Sequence, residues 1–181
     1  MAEQKKGNSK RFKNDKSKEN KNRKSNDNPL KPDVPAYLSD EDVVSTAEKV
    51  VLHLNGKNAL ERFENHDKTV LKKGIESGTQ CFSLTTTKIR NLLSILNVIY
   101  QMVQKEAGKE ISNKETIGKI QYFKVRCAYE AGRDDAVKDF VEKSNIMNYV
   151  DKIGTSKQNF VIFFHYVESL VAYHRYYGGK N

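Results

Sequence analysis

Five side chains, Lys119, Tyr122, Arg126, Tyr129 and Arg133, recur at alternating steps of three and four, so a helix through them presents one stripe of cations and aromatic rings. At about 1.5 Å per residue the stripe runs roughly 21 Å. Cations at that spacing can neutralise successive phosphates of one nucleic-acid strand, and the rings between them offer surfaces for sugars or bases. The pattern describes a track for a polyanion, not a catalytic pocket. Two blander outcomes fit the same spacing: a solvated helix face, and tyrosines that anchor the helix to a neighbour.

Two more basic positions stand out. Lys88 and Arg90 fall in the first turn of a helix expected over residues 84–103, where unbonded backbone N–H groups already favour phosphate. Lys124 sits in the middle of the apolar arc made by Ile117, Ile120, Cys127 and Ala131, so it must snorkel to an edge, pair with a carboxylate, or face a partner. Enzymatic constellations are poor by comparison. His53 and His66 lie on exposed-looking stretches, while His165 and His174 share the last helix but point to different faces. His165 with Glu168 is a conceivable hydrolytic pair, yet a satisfied histidine beside a core face is the commoner outcome. No P-loop, G-x-G-x-x-G or H-E-x-x-H occurs, and nothing around Cys81 or Cys127 has metal-ligand spacing. Asp134 and Asp135 diverge by about 100° on a helix and so do not share a proton; capping explains them better. No catalytic residue, metal or cofactor is expected.

The surrounding composition suits one compact helical domain. The chain has 181 residues, 32 Lys plus Arg against 23 Asp plus Glu, and a net charge of +9, which favours polyanionic partners. Residues 1–28 account for +6 of that charge, leaving the rest only mildly basic, so a nucleic-acid face there must come from segregated charge. The same 28 residues hold too little apolar surface to offset ordering entropy and read as a disordered, Lys-rich tail. Pro29, Pro32 and Pro35 then make an extended linker, so residues 1–36 precede a single domain over 37–178. Two unpaired cysteines and no signal segment point to a reducing cytoplasm, and the longest apolar run, residues 160–164, excludes a membrane span.

The elements that must hold the stripe are helices. Ser39 and Asp42 suggest a capping box for a first helix carrying Val43, Val44, Ala47, Val50, Val51 and Leu54. Weaker stretches surround Leu60 and Phe63, then Val70, Leu71 and Ile75. Thr85 or Thr86 opens a helix with a broad apolar face of Ile89, Leu92, Leu93, Leu96, Ile99, Tyr100 and Val103, and with Arg90, Ser94, Asn97 and Gln101 on the opposite side. A helix over residues 113–131 turns Ile117, Ile120, Phe123, Cys127, Ala128 and Ala131 one way and the stripe the other, with Gly132 as its C-cap. Asp134 and Asp135 can cap a short successor carrying Ala136, Val137, Phe140 and Val141. A last helix from Thr155 or Ser156, apolar almost all round, belongs in the middle of a bundle. The expected fold is all-α, an antiparallel bundle of five to six helices behind the disordered basic tail.

Three segments carry a resemblance. Leu84-Thr85-Thr86-Thr87-Lys88-Ile89-Arg90 resembles the "LTT-x-x-IR" segment of the small helical subunit of type III-A (Csm) CRISPR effector complexes. Phe123-Lys124-Val125-Arg126-Cys127-Ala128-Tyr129-Glu130-Ala131-Gly132-Arg133 is similar to that family's "LK-x-K-x-AY-x-AGR", and Val171-Ala172-Tyr173-His174 to its "VAYH" ending. The resemblance covers about residues 80–178 and leaves out the Lys-rich head. It implies a helical, non-catalytic subunit stacked with other copies of itself along the inner ridge of a ribonucleoprotein spiral, between the large polymerase-type subunit and the backbone subunits. Guide RNA and target RNA would be its nucleic-acid partners. By matched position it implies RNA contact for Lys88, Arg90, Lys124, Arg126 and Arg133, with Tyr129 either stacking or packing; Lys119 and Tyr122 rest on spacing alone. The rival expectation is a helical protein–protein scaffold that touches no nucleic acid.

Overall fold

A computed structural model describes Met1, Pro32, residues 34–54 and residues 84–177. It contains six helices: α1 (Val43–Leu54), α2 (Thr86–Lys105), α3 (Lys114–Arg133), α4 (Asp135–Lys143), α5 (Ile146–Ile153) and α6 (Lys157–Tyr176). The fold is all-α, and among the described residues the only β pairing is an isolated bridge between Glu110 and Ser156. Residues 2–28, the helical stretches expected around Leu60 and around Val70, His66 and Cys81 lie outside the described residues.

Local capping chemistry explains most helix starts. The Ser39 N–H donates to Asp42 Oδ1 at 2.9 Å while the Asp42 N–H donates to Ser39 Oγ at 3.3 Å, the reciprocal box expected ahead of α1. Asn113 accepts from the Glu115 N–H at 2.8 Å, and Asp134 accepts from the N–H groups of Ala136 and Val137 at 3.0 and 3.2 Å. Thr85 occupies the N-cap of α2 in an extended conformation, but its side chain makes no capping bond. Ser156 caps α6 by accepting from the Asn159 N–H at 3.2 Å. Because α6 is the central helix, Ser156→Ala should lower the free energy of unfolding by about 1 kcal/mol with the bundle intact, as read by urea denaturation.

α6 packs against α1, α2 and α5 and buries Phe160, Phe163, Phe164, Tyr166, Val167 and Leu170. Its rings interlock with those of its neighbours: Tyr100 of α2 stacks on Phe164 at 4.4 Å, Phe123 of α3 meets Phe163 edge-on at 6.0 Å, and Tyr149 of α5 meets Tyr166 edge-on at 5.3 Å. The buried Tyr166 hydroxyl donates to the Ser144 carbonyl at 2.9 Å, so this large residue brings no orphaned polar atom into the core. α2 runs antiparallel to α6, since Thr86 meets His174 while Tyr100 meets Phe164. It also runs antiparallel to α3, with Lys88 on Asp134 at one end and Glu106 bonded to Thr116 at the other. α1 lies along α6 in the same sense, tied by Asp40 to Gln158 and by Glu48 to Tyr177.

Three local features differ from expectation. α3 continues through Gly132 to Arg133, and the chain turns at Asp134 (φ −152°, ψ 117°), which ends α3 and caps α4 at once. Gly132 is therefore a helical residue and not the C-cap. Ala128, expected inward, is exposed, because the buried arc of α3 is centred on Thr116, Ile120, Phe123 and Cys127. α5 falls where the sequence analysis assigns no element. Ahead of α1, Val34 and Leu38 pack on the core, the Tyr149 hydroxyl donates to the Pro35 carbonyl at 2.8 Å, and Lys152 bonds the Ala36 carbonyl with its ammonium 4.2 Å above the Tyr37 ring. Packing thus begins at Val34, a few residues ahead of residue 37. Among the described residues no helix is long and apolar enough to cross a membrane.

Candidate nucleic-acid interface

The stripe lies on the solvent side of α3 because the opposite side is committed to the core. Thr116, Ile120, Phe123 and Cys127 are buried, whereas Tyr122 and Tyr129 are 59% and 52% exposed. Among the described residues, neither ring anchors α3 to another helix. Tyr129 is instead flanked by cations: the guanidinium carbons of Arg126 and Arg133, one helical turn to either side, lie 5.5 and 5.3 Å from its centroid. That arrangement holds two long side chains over one ring and gives a surface unit with a stacking face and two forked donors.

Carboxylates on the same helix answer the cations. Glu130 lies 3.3 Å from Arg126 and 3.9 Å from Arg133, and Glu115 lies 3.0 Å from Lys119. These three pairs have i,i+3 or i,i+4 spacing, and all three cations are substantially exposed. Such pairs contribute about 0–1 kcal/mol, less than a desolvated phosphate contact can, so they orient the cations without consuming them. Glu130 was not singled out from sequence, although its position between Arg126 and Arg133 was readable from their spacing.

The other basic candidates separate into three places. Lys88 is paired with Asp134, whose carboxyl is held below its ordinary value chiefly by the hydrogen bond from Lys88 and then by the Val137 N–H. This places Lys88 on the α3 side of α2, at the residue that ends α3. Arg90 is two residues further on, about 200° around α2, and is exposed on the outer face with Ser94, Asn97 and Gln101. Lys124 reaches both carboxylate oxygens of Asp151 on α5 at 2.7 Å, so of its three possible fates the structure shows pairing. It marks the flank of α3 that meets α5, while Arg126 lies about 200° away around the helix. The structure therefore brings together Lys119, Arg126, Tyr129 and Arg133 with Lys88 at one end, and sets Arg90 and Lys124 apart from them.

Cys127 and His174 are sequestered in the core. Cys127 is fully buried and its thiol is pushed up to about 12 by desolvation, which keeps it protonated. His174 is buried with Nδ1 3.2 Å from Thr86 Oγ1, whereas His165 is exposed on another face of α6, as their spacing implies. Among the described residues no three His, Cys, Asp or Glu side chains gather as metal ligands.

Comparison with known proteins places these features in context. The profile of the family described as Csm2 Type III-A matches residues 64–180, which include the whole of α2 to α6. The chain is similar to the CRISPR system Cms protein Csm2 of Streptococcus thermophilus, 34% identical over 146 residues that cover 81% of this chain and 99% of that protein. It is also similar to the proteins of the same name in Mycobacterium tuberculosis H37Rv, 34% identical over 109 residues (60% and 87% covered), and Enterococcus italicus, 38% identical over 96 residues (52% and 68% covered).

Proposed function

The chain belongs to the Csm2 family, the small subunit of type III-A CRISPR complexes, and from that premise we propose that its α3 stripe contacts the guide and target RNA backbone. The proposed role is non-catalytic and cytoplasmic. Several copies stack along the inner ridge of the ribonucleoprotein, beside its backbone and large polymerase-type subunits, and help position target RNA for cleavage elsewhere. The observation that supports this most directly is the exposed Arg126–Tyr129–Arg133 unit, extended by Lys119 and bordered by Lys88. Forked guanidiniums suit phosphate oxygens, and the ring between them suits a sugar or base. Because these groups address phosphates, sequence selection is left to guide pairing. In this arrangement Lys124 acts through Asp151, holding α3 in place.

Replacing Arg126 and Arg133 together by Glu should weaken target-RNA binding by the assembled complex about tenfold to a hundredfold at physiological salt, and lower the slope of log K against log salt by about 2. Helix content, followed by circular dichroism, should stay as it was. Unchanged affinity and slope would refute the proposal. The pairing of Arg126, Arg133 and Lys119 with carboxylates of their own helix favours a second reading, a protein–protein scaffold. Under that reading the double variant would impair assembly and not RNA affinity.

A further inference from the structure

The three cations of the α3 stripe, Lys119, Arg126 and Arg133, are answered by two carboxylates of their own helix, Glu115 and Glu130, so the track nets only one positive charge. A surface that held phosphate as firmly as it could would leave its cations unopposed. The opposition centres on Glu130. Its Oε1 lies 3.3 Å from Arg126 Nη2 and its Oε2 lies 3.9 Å from Arg133 Nη1, so each carboxylate oxygen faces one guanidinium. Glu130 is also less exposed than either arginine, which sets the carboxylate deeper than the cations it faces. The carboxylates that meet the other basic candidates have structural duties: Asp134 caps α4 while it holds Lys88, and Asp151 joins α5 to α3 through Lys124. Among the described residues Glu130 bonds the two arginines alone; it caps no helix end and ties α3 to no neighbour.

A phosphate that accepts from both forks meets the same guanidiniums on their outward edges. It then stands well inside the Debye length of about 8 Å from a fixed negative charge, so physiological salt does not screen out the repulsion. We propose that Glu130 is a built-in rival of the RNA phosphate: its carboxylate holds the Arg126 and Arg133 forks in the empty subunit and opposes phosphate on them, which keeps the grip on RNA weak and readily reversed. This rests on the RNA-backbone role of α3 proposed above, and names the residue that limits it. A weak grip suits a track that does not read bases. Phosphate contact strengthens binding of any RNA, so capping it leaves discrimination to guide pairing.

The test uses complexes assembled with the intact subunit, with Glu130→Gln, with Arg126→Ala/Arg133→Ala, and with all three substitutions together. Each is titrated with target RNA at several salt concentrations. Glutamine keeps the length of the side chain and an acceptor oxygen for the arginines while removing the charge. Glu130→Gln is expected to tighten target-RNA binding about threefold to tenfold and to steepen the slope of log K against log salt by about 1, since one more positive charge is left for phosphate. Helix content, read by circular dichroism, should not change. On the Arg126→Ala/Arg133→Ala background the same substitution should alter affinity by less than about twofold, because the cations that Glu130 opposes are gone. Unchanged affinity and slope in Glu130→Gln overturn the inference. A fall in affinity does so too, by making the carboxylate only a positioning group, and so does an equal gain on both backgrounds, which would assign the effect to the overall charge of the subunit. If Arg126→Ala/Arg133→Ala weakens RNA binding while Glu130→Gln does nothing, the phosphate role of α3 stands without a rival at Glu130. If neither variant alters affinity or slope, that role fails as well.

Discussion

Phe163→Ala should lower the unfolding free energy by about 3–5 kcal/mol, enough to remove much of the stability of a typical domain. Phe163 is 2% exposed, sits on the central helix, and is where the ring of Phe123 meets it edge-on at 6.0 Å. Truncation loses the transfer free energy of the ring, leaves a cavity between helices that cannot close fully, and removes an aromatic pair worth a further fraction of a kcal/mol. Phe123 also sets the inward side of α3, so the damage reaches the helix that bears the stripe. Tyr122→Ala on the outer side of that helix is the matched control; its ring is 59% exposed and its loss should change stability by no more than about 0.5 kcal/mol. Urea denaturation of both variants measures the contrast. A Phe163→Ala protein within 1 kcal/mol of the parent would mean that α3 and α6 do not share a core.

Acidification should destabilise the protein through His174. Burial pushes its imidazole down to about 4 from the ordinary 6.5, partly offset by a backbone hydrogen bond with Leu84, so the fold favours the neutral ring. A histidine with a depressed folded value contributes stability that is fully present above pH 6.5 and lost as pH falls through the window between 6.5 and about 4. The full loss is on the order of 3 kcal/mol. The ring joins the first turn of α2, at Thr86, to the last turn of α6, so protonation loosens the end of the bundle where Lys88 and Arg133 lie. Denaturation at pH 7 and pH 4.5 should show the loss in the parent and a much smaller one in His174→Gln. Equal slopes in the two proteins would assign the acid sensitivity to carboxylates.

Much of this was legible in the chain itself. The apolar arcs of α2 and α6, the Ser39/Asp42 box and the steps of the α3 stripe are local patterns, and local patterns survive translation into structure. α5 escaped because it has eight residues and is entered through Asn145 in the left-handed region (φ 56°), although Ile146, Tyr149, Val150 and Ile153 have helical spacing. Gly132 looked like a terminus because glycine so often is one; that Asp134 alone could end α3 and open α4 depends on the angle between two helices. The partners of Lys88 and Lys124 were invisible for the same kind of reason. Asp134 lies 46 residues from Lys88 and Asp151 lies 27 from Lys124, and only packing brings them near.

The Lys124–Asp151 pair has one more effect. A cylinder of side chains resting on a greasy bed is free to rotate by a few degrees, and each degree would swing the tips of Arg126 and Arg133 sideways by an amount that grows with their reach. A two-pronged grip on α5, at the flank of α3, acts as a cleat against that rotation. The aim of the outward cations is then inherited from a lysine on the helix's other flank, and a change at Asp151 would misdirect them from across the helix.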